Sequence, residues 1–313
     1  MKKVLFVSRK ADKCGVADYG RRVNEILQKS KMLSIIWAEI ENDYEYINLI
    51  NEVNPDVVLY NYYGHILPFI TDEFLKNYRH IPHIMIYHEN TKFFTPTAII
   101  DTDSTKQDIP EHNFYSSPRP LFENINFVDI EKNTIPTIGS FGFGFKDKNF
   151  PKIAELVCQQ FNNAKIRLNI PFATFGDSDG SLALNEVEKI RDVIRNYKKD
   201  ILLEVSHDFL THDEILKFLA QNDVNMFLYD KHDTRGLSST IDYSLSVKKP
   251  IAINDSYMFR HINNVTPSIN VNNTSIKEII INGFAPLEII YDEYSNKNFI
   301  KKYEAILTKN YEK

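Results

Sequence analysis

The chain has 313 residues, 43% of them apolar and 25% charged, which is enough for two domains of ordinary size. With 37 basic and 42 acidic side chains the formal charge is −5, which argues against a sequence-independent grip on nucleic acid. Two cysteines, Cys14 and Cys158, exclude a disulfide framework and lack metal-type spacing, so a reduced, cytoplasmic setting is expected.

Taken in chain order, residues 4–7 read as a buried strand; Arg9 and Lys10 follow too soon for a signal-peptide core. No run approaches the ~18 consecutive apolar residues that cross a bilayer. Residues 18–28 read as a helix with Val23, Ile26 and Leu27 on one face, 34–38 as a strand and 44–53 as a helix. Pro55-Asp56 then introduces a strand at 57–60, followed by a helix at 71–78 and a strand at 83–87. Strand alternating with helix at this spacing means a parallel sheet covered on both faces. Residues 89–128 carry Pro96, Pro110, Pro118 and Pro120, lose periodicity, and read as loops plus an interdomain crossing.

A second strand-then-glycine unit opens at 137–142, followed by a helix over 151–161. Further strands are expected at 166–170, 201–205, 226–229 and 251–253, with helices near 184–197, 213–221 and 240–247. Residues 292–313 place Phe299, Ile300, Tyr303, Ile306 and Leu307 at helical spacing. They read as a terminal helix packed on the body rather than one lying on a membrane, because the apolar face is modest. The expected fold is therefore α/β, with two facing Rossmann-like domains over residues 1–132 and 133–290, a cleft between them, and a terminal helix over 291–313. Sites in such folds collect at the carboxyl ends of the strands.

Chemistry concentrates in residues 233–245, which follow the apolar run 226–229 and open a helix. Ser238 and Ser239 at a helix start leave backbone amides exposed to an anion, and a diphosphate with Arg235 beside it suits them. A capping box, with Ser239 as N-cap and Asp242 three residues on, accounts for the same residues. Asp18, beside Gly15 in the loop after the first strand, reads as an N-cap. His88 ends a parallel strand and His65 lies at the end of the strand before it. The acidic triplets Asp101-Thr102-Asp103 and Asp177-Ser178-Asp179 sit in turn-rich sequence and read as turns rather than as divalent-ion ligands.

Residues 242–253, an acid followed by small residues, then Pro250 and a short apolar strand, resemble the donor segment of GT-B glycosyltransferases, most closely the family 4 type. The resemblance implies that Asp242 takes the ribose hydroxyls of a nucleotide sugar while Ser238 and Ser239 offer amides to its diphosphate. Family members carry a glutamate eight positions earlier, where this chain has Thr234 with Asp233 beside it. Residues 138–150 resemble the glycine loop that opens the second domain of these enzymes. Gly142 lies in that loop, Lys148 matches the family lysine that reaches the donor phosphates, and Ser140 stands where an arginine is usual. Residues 13–22, with Lys13 and Gly15, resemble the loop after the first strand, and His88 matches a histidine that touches the transferred sugar.

The implied activity is transfer of a sugar from a nucleotide-sugar donor to an acceptor hydroxyl, with retention, in a hexosyltransferase-like enzyme. His88, Lys148 and Arg235 would act on the reacting groups, and Gly15, Gly142, Ser238, Ser239 and Asp242 would bind the donor. No metal and no cofactor beyond the donor itself is expected. Glycan, lipid-linked and protein acceptors all fit, polysaccharide biosynthesis is a natural setting, and peripheral membrane contact stays open. Two other readings compete: a degenerate GT-B scaffold that binds a nucleotide sugar or a partner without turnover, and a sugar-nucleotide epimerase.

Overall fold

The structure, a computed structural model, describes residues 1–11, 14–88, 92–123, 125, 127, 130–173, 176–231, 233 and 235–311. The chain divides into two compact units, Met1–Pro120 with Glu293–Lys313, and Leu121–Asp292.

In unit 1, β1 (Lys2–Arg9), α1 (Gly15–Leu27), β2 (Leu33–Ile40), α2 (Asp43–Val53), β3 (Val57–Tyr62), α3 (Asp72–Leu75), β4 (His83–Tyr87), β5 (Ala98–Asp101) and β6 (Phe114–Ser116) follow one another. The six strands form one parallel sheet in the order β2-β1-β3-β4-β5-β6. Successive strand residues point to opposite faces, so a sheet covered on both sides needs unbroken apolar runs. Val4 and Phe6, with Leu59 and Ile86, pack under α1, while Leu5 and Val7, with Tyr60 and Met85, pack against Tyr46 and Ile50 of α2.

Unit 2 runs β7 (Thr137–Phe141), α4 (Phe150–Gln160), β8 (Asn163–Asn169), α5 (Ser181–Tyr197), β9 (Asp200–Ser206), α6 (His212–Ala220), β10 (Val224–Phe227), α7 (Ser239–Ser246), β11 (Ile251–Ile253), α8 (Ile276–Asn282) and α9 (Glu288–Glu293). Its five strands are parallel in the order β11-β10-β7-β8-β9. The chain steps outward from β7 through β8 and β9, then returns to the other side of β7 to place β10. That reversal leaves a switch point between β7 and β10, where the loops leaving the two strands part.

The last helix, α10 (Asn296–Leu307), belongs to unit 1. Phe299, Tyr303, Ile306 and Leu307 enter the same cluster as Tyr19, Val23, Ile26 and Leu27 of α1. Each such side chain, fully buried, contributes roughly 1.5–3 kcal/mol before conformational entropy is subtracted.

Two expectations need correction. Residues 89–128 are not all loop and crossing, because β5 and β6 extend the unit 1 sheet there. Strands of four and three residues are too short to show a period of their own. The helix α8 also went unread, although its capping box, Ser275 with Glu278, is visible in the sequence and forms in the structure.

A buried polar chain crosses the α2 face of unit 1. The hydroxyls of Tyr46 and Tyr60 lie 2.6 Å apart, Tyr60 Oη is 2.8 Å from His83 Nδ1, and His83 Nε2 is 3.0 Å from the Tyr78 carbonyl. A carbonyl only accepts, so Nε2 carries the proton and Nδ1 accepts from Tyr60. Burial holds the imidazole neutral, its pKa lowered from 6.5 to about 4. The unfolded chain therefore binds the extra proton first, and the stability that neutral His83 confers is complete above pH 6.5 and lost as pH falls toward about 4. Urea midpoints measured between about pH 7.5 and pH 4.5 should fall with acidity, and His83→Gln should flatten that slope whatever it does to stability at neutral pH. An unchanged slope would place the acid sensitivity elsewhere.

Candidate functional site

Most of the sequence-predicted binding residues gather at the switch point of unit 2. The first residue beyond β7 is Gly142, whose φ of 144° lies where side chains are strained. The loop then makes a tight helical turn over Lys146–Lys148. It is tied to the loop leaving β10, since Asp230 N–H donates to the Asp147 carbonyl at 2.9 Å and the Asn149 side-chain amide donates to the Asp230 carboxylate. The loop after β11 joins them. Asn254 Nδ2 donates to the Tyr229 carbonyl, Ser256 Oγ to the Asp230 carbonyl, and Ser238 N–H to the Met258 carbonyl. Three adjacent strands thus deliver three loops that are bonded to one another.

Helix α7 starts inside this set. Its N-cap is Ser238, whose side chain makes no capping bond to the helix and instead lies 2.8 Å from Thr240 Oγ1. The expected capping box of Ser239 and Asp242 is absent. The helix begins one residue too early for it, leaving Ser239 as the first helical residue and Asp242 as the fourth, fully buried. The Ser238 side chain therefore leaves the first turn of α7 uncapped, and the one acidic residue of that turn is the buried Asp242.

Tyr229, just beyond β10, links the parts. Its ring is buried, and its hydroxyl is 3.3 Å from Thr240 Oγ1. A side chain at Gly142 would begin 3.9 Å from that hydroxyl. Lys148 Nζ stands 3.7 Å from the centre of the same ring. Gly142, Lys148 and Thr240 thus converge on one aromatic side chain that sequence reasoning missed, and Ser238 joins them through Thr240. The only hint was an aromatic residue ending an apolar run before a polar loop. Arg235 is exposed on the loop entering α7, and its carbonyl accepts from Arg260, whose guanidinium stacks 3.8 Å from the Tyr257 ring. Thr234 and Lys13 lie outside the described residues.

In unit 1 the corresponding strand ends hold His88. Asn61 on β3 donates from Nδ2 to the Val16 carbonyl at 2.7 Å and to Ser8 Oγ at 2.9 Å, which turns its Oδ1 toward His88 Nε2 at 2.7 Å. Nε2 must then be the protonated nitrogen, and Nδ1 is left as an acceptor. Burial, with the Arg119 charge nearby, pushes the imidazole pKa down to about 3. Tyr19 packs edge-on against the ring at 4.8 Å, and Arg119 lies over Tyr19. Gly15 opens α1 with free space where a Cβ would lie. Asp18 is not the cap of α1: the N-cap is Cys14, without a side-chain bond, and Asp18 pairs with Arg21 at 3.0 Å. His65 is exposed beside Tyr63.

Both acidic triplets are engaged in their own turns. Asp101 pairs with Lys106 at 2.6 Å and accepts from Asp103 N–H, while Asp103 accepts from Thr105. Asp177 accepts from the Leu182 and Ala183 amides at the start of α5, and Asp179 from Ser181. Among the described residues no group of three His, Cys, Asp or Glu side chains is placed to hold a metal ion. No helix is long and apolar enough to cross a membrane, among the same residues.

No protein-family model matches the chain, and no curated protein matches it. Solved structures do. A glycosyltransferase from Rickettsia africae aligns over 99% of both chains, with a TM-score of 0.65 and 11% identity. The Anabaena HepE protein, solved with UDP and glucose, aligns over 98% of this chain and 100% of its own, with a TM-score of 0.62 and 10% identity. A UDP-forming trehalose-phosphate synthase from Burkholderia xenovorans aligns over 98% and 99%, with a TM-score of 0.65 and 9% identity. The chain has the GT-B fold. Its two parallel-sheet α/β units match those of the GT-B glycosyltransferases among these neighbours, and at such identities the likeness carries the fold alone.

The Asn61–His88 arrangement makes a direct prediction. Long-range proton–nitrogen spectra should find His88 as a neutral Nε2–H imidazole still at about pH 5. Asn61→Ala should release that tautomer and, by stranding Ser8, the Val16 carbonyl and His88, lower stability in urea by roughly 1–3 kcal/mol. An Nδ1–H tautomer in the parent protein would refute the assignment.

Proposed function

We propose that the chain is a glycosyltransferase that moves a sugar from a nucleotide-sugar donor to an acceptor hydroxyl, and that unit 2 binds the donor. The observation that carries this reading is the convergence at the β7–β10 switch point: Lys148, the first turn of α7 and Gly142 around Tyr229. Helix amides and a lysine together suit a diphosphate, and dinucleotides and nucleotide sugars bind parallel sheets at such a point. The structural neighbours support it, since the Anabaena protein was solved with UDP and glucose and another neighbour is a UDP-forming synthase.

When the bond from the anomeric carbon to the donor oxygen breaks, charge grows on the departing diphosphate. Lys148 and the Ser239 and Thr240 amides are assigned to stabilise it, with Arg235 from the exposed loop assisting. Ser140, at the position of the family 4 arginine, is buried within β7 and offers no charge, so the cations must come from these other positions. His88 is assigned a contact with a sugar hydroxyl through its free acceptor, Nδ1. The family 4 resemblance supports retention, with the acceptor hydroxyl attacking on the face the diphosphate leaves.

Nucleotide release should be assayed with uridine, guanosine and adenosine diphosphate sugars. Lys148→Ala should lower kcat by about 100-fold while weakening donor binding much less, because its contact strengthens as the bond breaks. Equal kcat in the parent and the variant would remove Lys148 from the chemistry, and no release from any donor would overturn the enzymatic reading.

Asp242 is assigned the ribose hydroxyls, and Asp242→Asn separates that task from a purely internal one. If the carboxylate reaches the ribose, the variant binds nucleoside diphosphate at least about tenfold more weakly, as the loss of charged hydrogen bonds would require. If its buried carboxylate serves only the packing around α7, melting temperature falls and calorimetric affinity is unchanged. That second result would withdraw the assignment.

A further inference from the structure

A lysine can be fixed in place by a carboxylate, but the ion pair then cancels the charge that an incoming anion would feel. Elsewhere in this chain lysines are held that way: Lys106 by Asp101 and Lys189 by Glu186, both at 2.6 Å. Lys148 differs. The residue is half-buried, and its ammonium pairs with no carboxylate among the described residues and rests 3.7 Å from the centre of the Tyr229 ring. An aromatic face attracts a cation through its quadrupole and carries no net charge, so it orients the ammonium and leaves the full positive charge in place.

The ring is itself held. It is buried, packs on Phe259 with centroids 4.9 Å apart, and its backbone carbonyl accepts from Asn254. Its hydroxyl meets Thr240, the second residue of α7, which also meets the N-cap Ser238. One side chain therefore touches both sources of positive potential in the donor loops, the lysine on its face and the helix start at its edge.

Resting on the glycosyltransferase reading above, we infer that Tyr229 is a positioning residue that couples Lys148 to the first turn of α7, so that ammonium and helix amides meet the diphosphate as one preorganised unit. Its ring does the holding, and the hydroxyl's contact with Thr240 is not required for it. Tyr229 itself does not touch the substrate.

Two measurements test this separately from the reading it rests on. In unliganded protein with carbon-13-methylated lysines, the Lys148 methyl signals, identified by their loss in Lys148→Arg, should be shifted upfield by the ring current. They should return to the ordinary position in Tyr229→Leu. Calorimetry with the tightest-binding of uridine, guanosine and adenosine diphosphate should then give Tyr229→Phe within about twofold of the parent and Tyr229→Leu about fivefold weaker. The double variant Tyr229→Leu, Lys148→Ala should bind no more weakly than Lys148→Ala alone, since the ring acts only through the lysine. If Tyr229→Leu does not fold, trifluorophenylalanine at position 229 keeps the shape and drains the ring's negative face. It should bind more weakly than phenylalanine there, at an unchanged melting temperature. Additive losses, equal affinities for phenylalanine and its fluorinated form, or no upfield shift would overturn the inference. A ring-current shift in a protein that binds none of the three diphosphates would instead defeat the donor reading, and with it any anion role for the pair.

Discussion

The loops after β7, β10 and β11 can meet only because β10 lies directly beside β7, and that pairing is short, with Val224 opposite Ile138 and Asn225 opposite Gly139. So brief a ladder needs help, and an amide cluster at the entry to β10 supplies it. Asn222 Nδ2 donates to Asn225 Oδ1 at 2.8 Å, Asn225 Nδ2 to the Leu219 carbonyl, and Arg167 on β8 donates to Asn222 Oδ1 at 3.0 Å. This cluster occupies the space beside Gly139, where a Cβ would stand 1.8 Å from Asn222 Nδ2. Any side chain at 139 would evict Asn222 and loosen the strand whose far end carries Tyr229. The packing at one end of the strand pair thus bears on where Tyr229 is held at the other.

The two units use polar burial in different ways. In unit 1 the Tyr46–Tyr60–His83 chain and the Ser8–Asn61–His88 chain satisfy neutral groups with neutral partners, while burial keeps both imidazoles uncharged. In unit 2 the bonds among the three loops run largely through backbone carbonyls. Those bonds fix the path of the chain without engaging the Lys148 ammonium. On the glycosyl-transfer reading proposed above, loops tied together in this way suit electrostatic stabilisation of a leaving group, because little reorganisation is then needed as charge develops.

Much of this was legible in the sequence. Unbroken apolar runs such as 4–7 and 57–60 announced strands buried on both faces, and the spacing of strands and helices announced parallel sheets. Gly142 and Lys148 could be singled out because residues 138–150 resemble the glycine loop of GT-B enzymes, and Ser238 because small residues gather there at a helix start. Tyr229 could not, since its importance comes from what lies above and beside its ring, and those neighbours are 81 and 11 residues away along the chain. The start of α7 was misjudged by one residue, because Ser238, Ser239 and Thr240 are all plausible caps and only the tertiary bonds to Met258 and Tyr229 choose among them. β5 and β6 were invisible for a different reason: a strand of three or four residues earns its place from its neighbour rather than from its own pattern.

The placement of α10 bears on the order in which the chain can fold. Unit 2 is a single stretch, residues 121–292, and holds all its own strands once that stretch has left the ribosome. Unit 1 is interrupted. Its sheet and α1 are synthesised first, yet the helix that covers Ile26 and Leu27 is made after the whole of unit 2. During synthesis the earlier-made unit is therefore the later one to be completed, and its α1 face remains open to water, or to a chaperone, while unit 2 closes. The final turns of the chain act as a latch on its first helix.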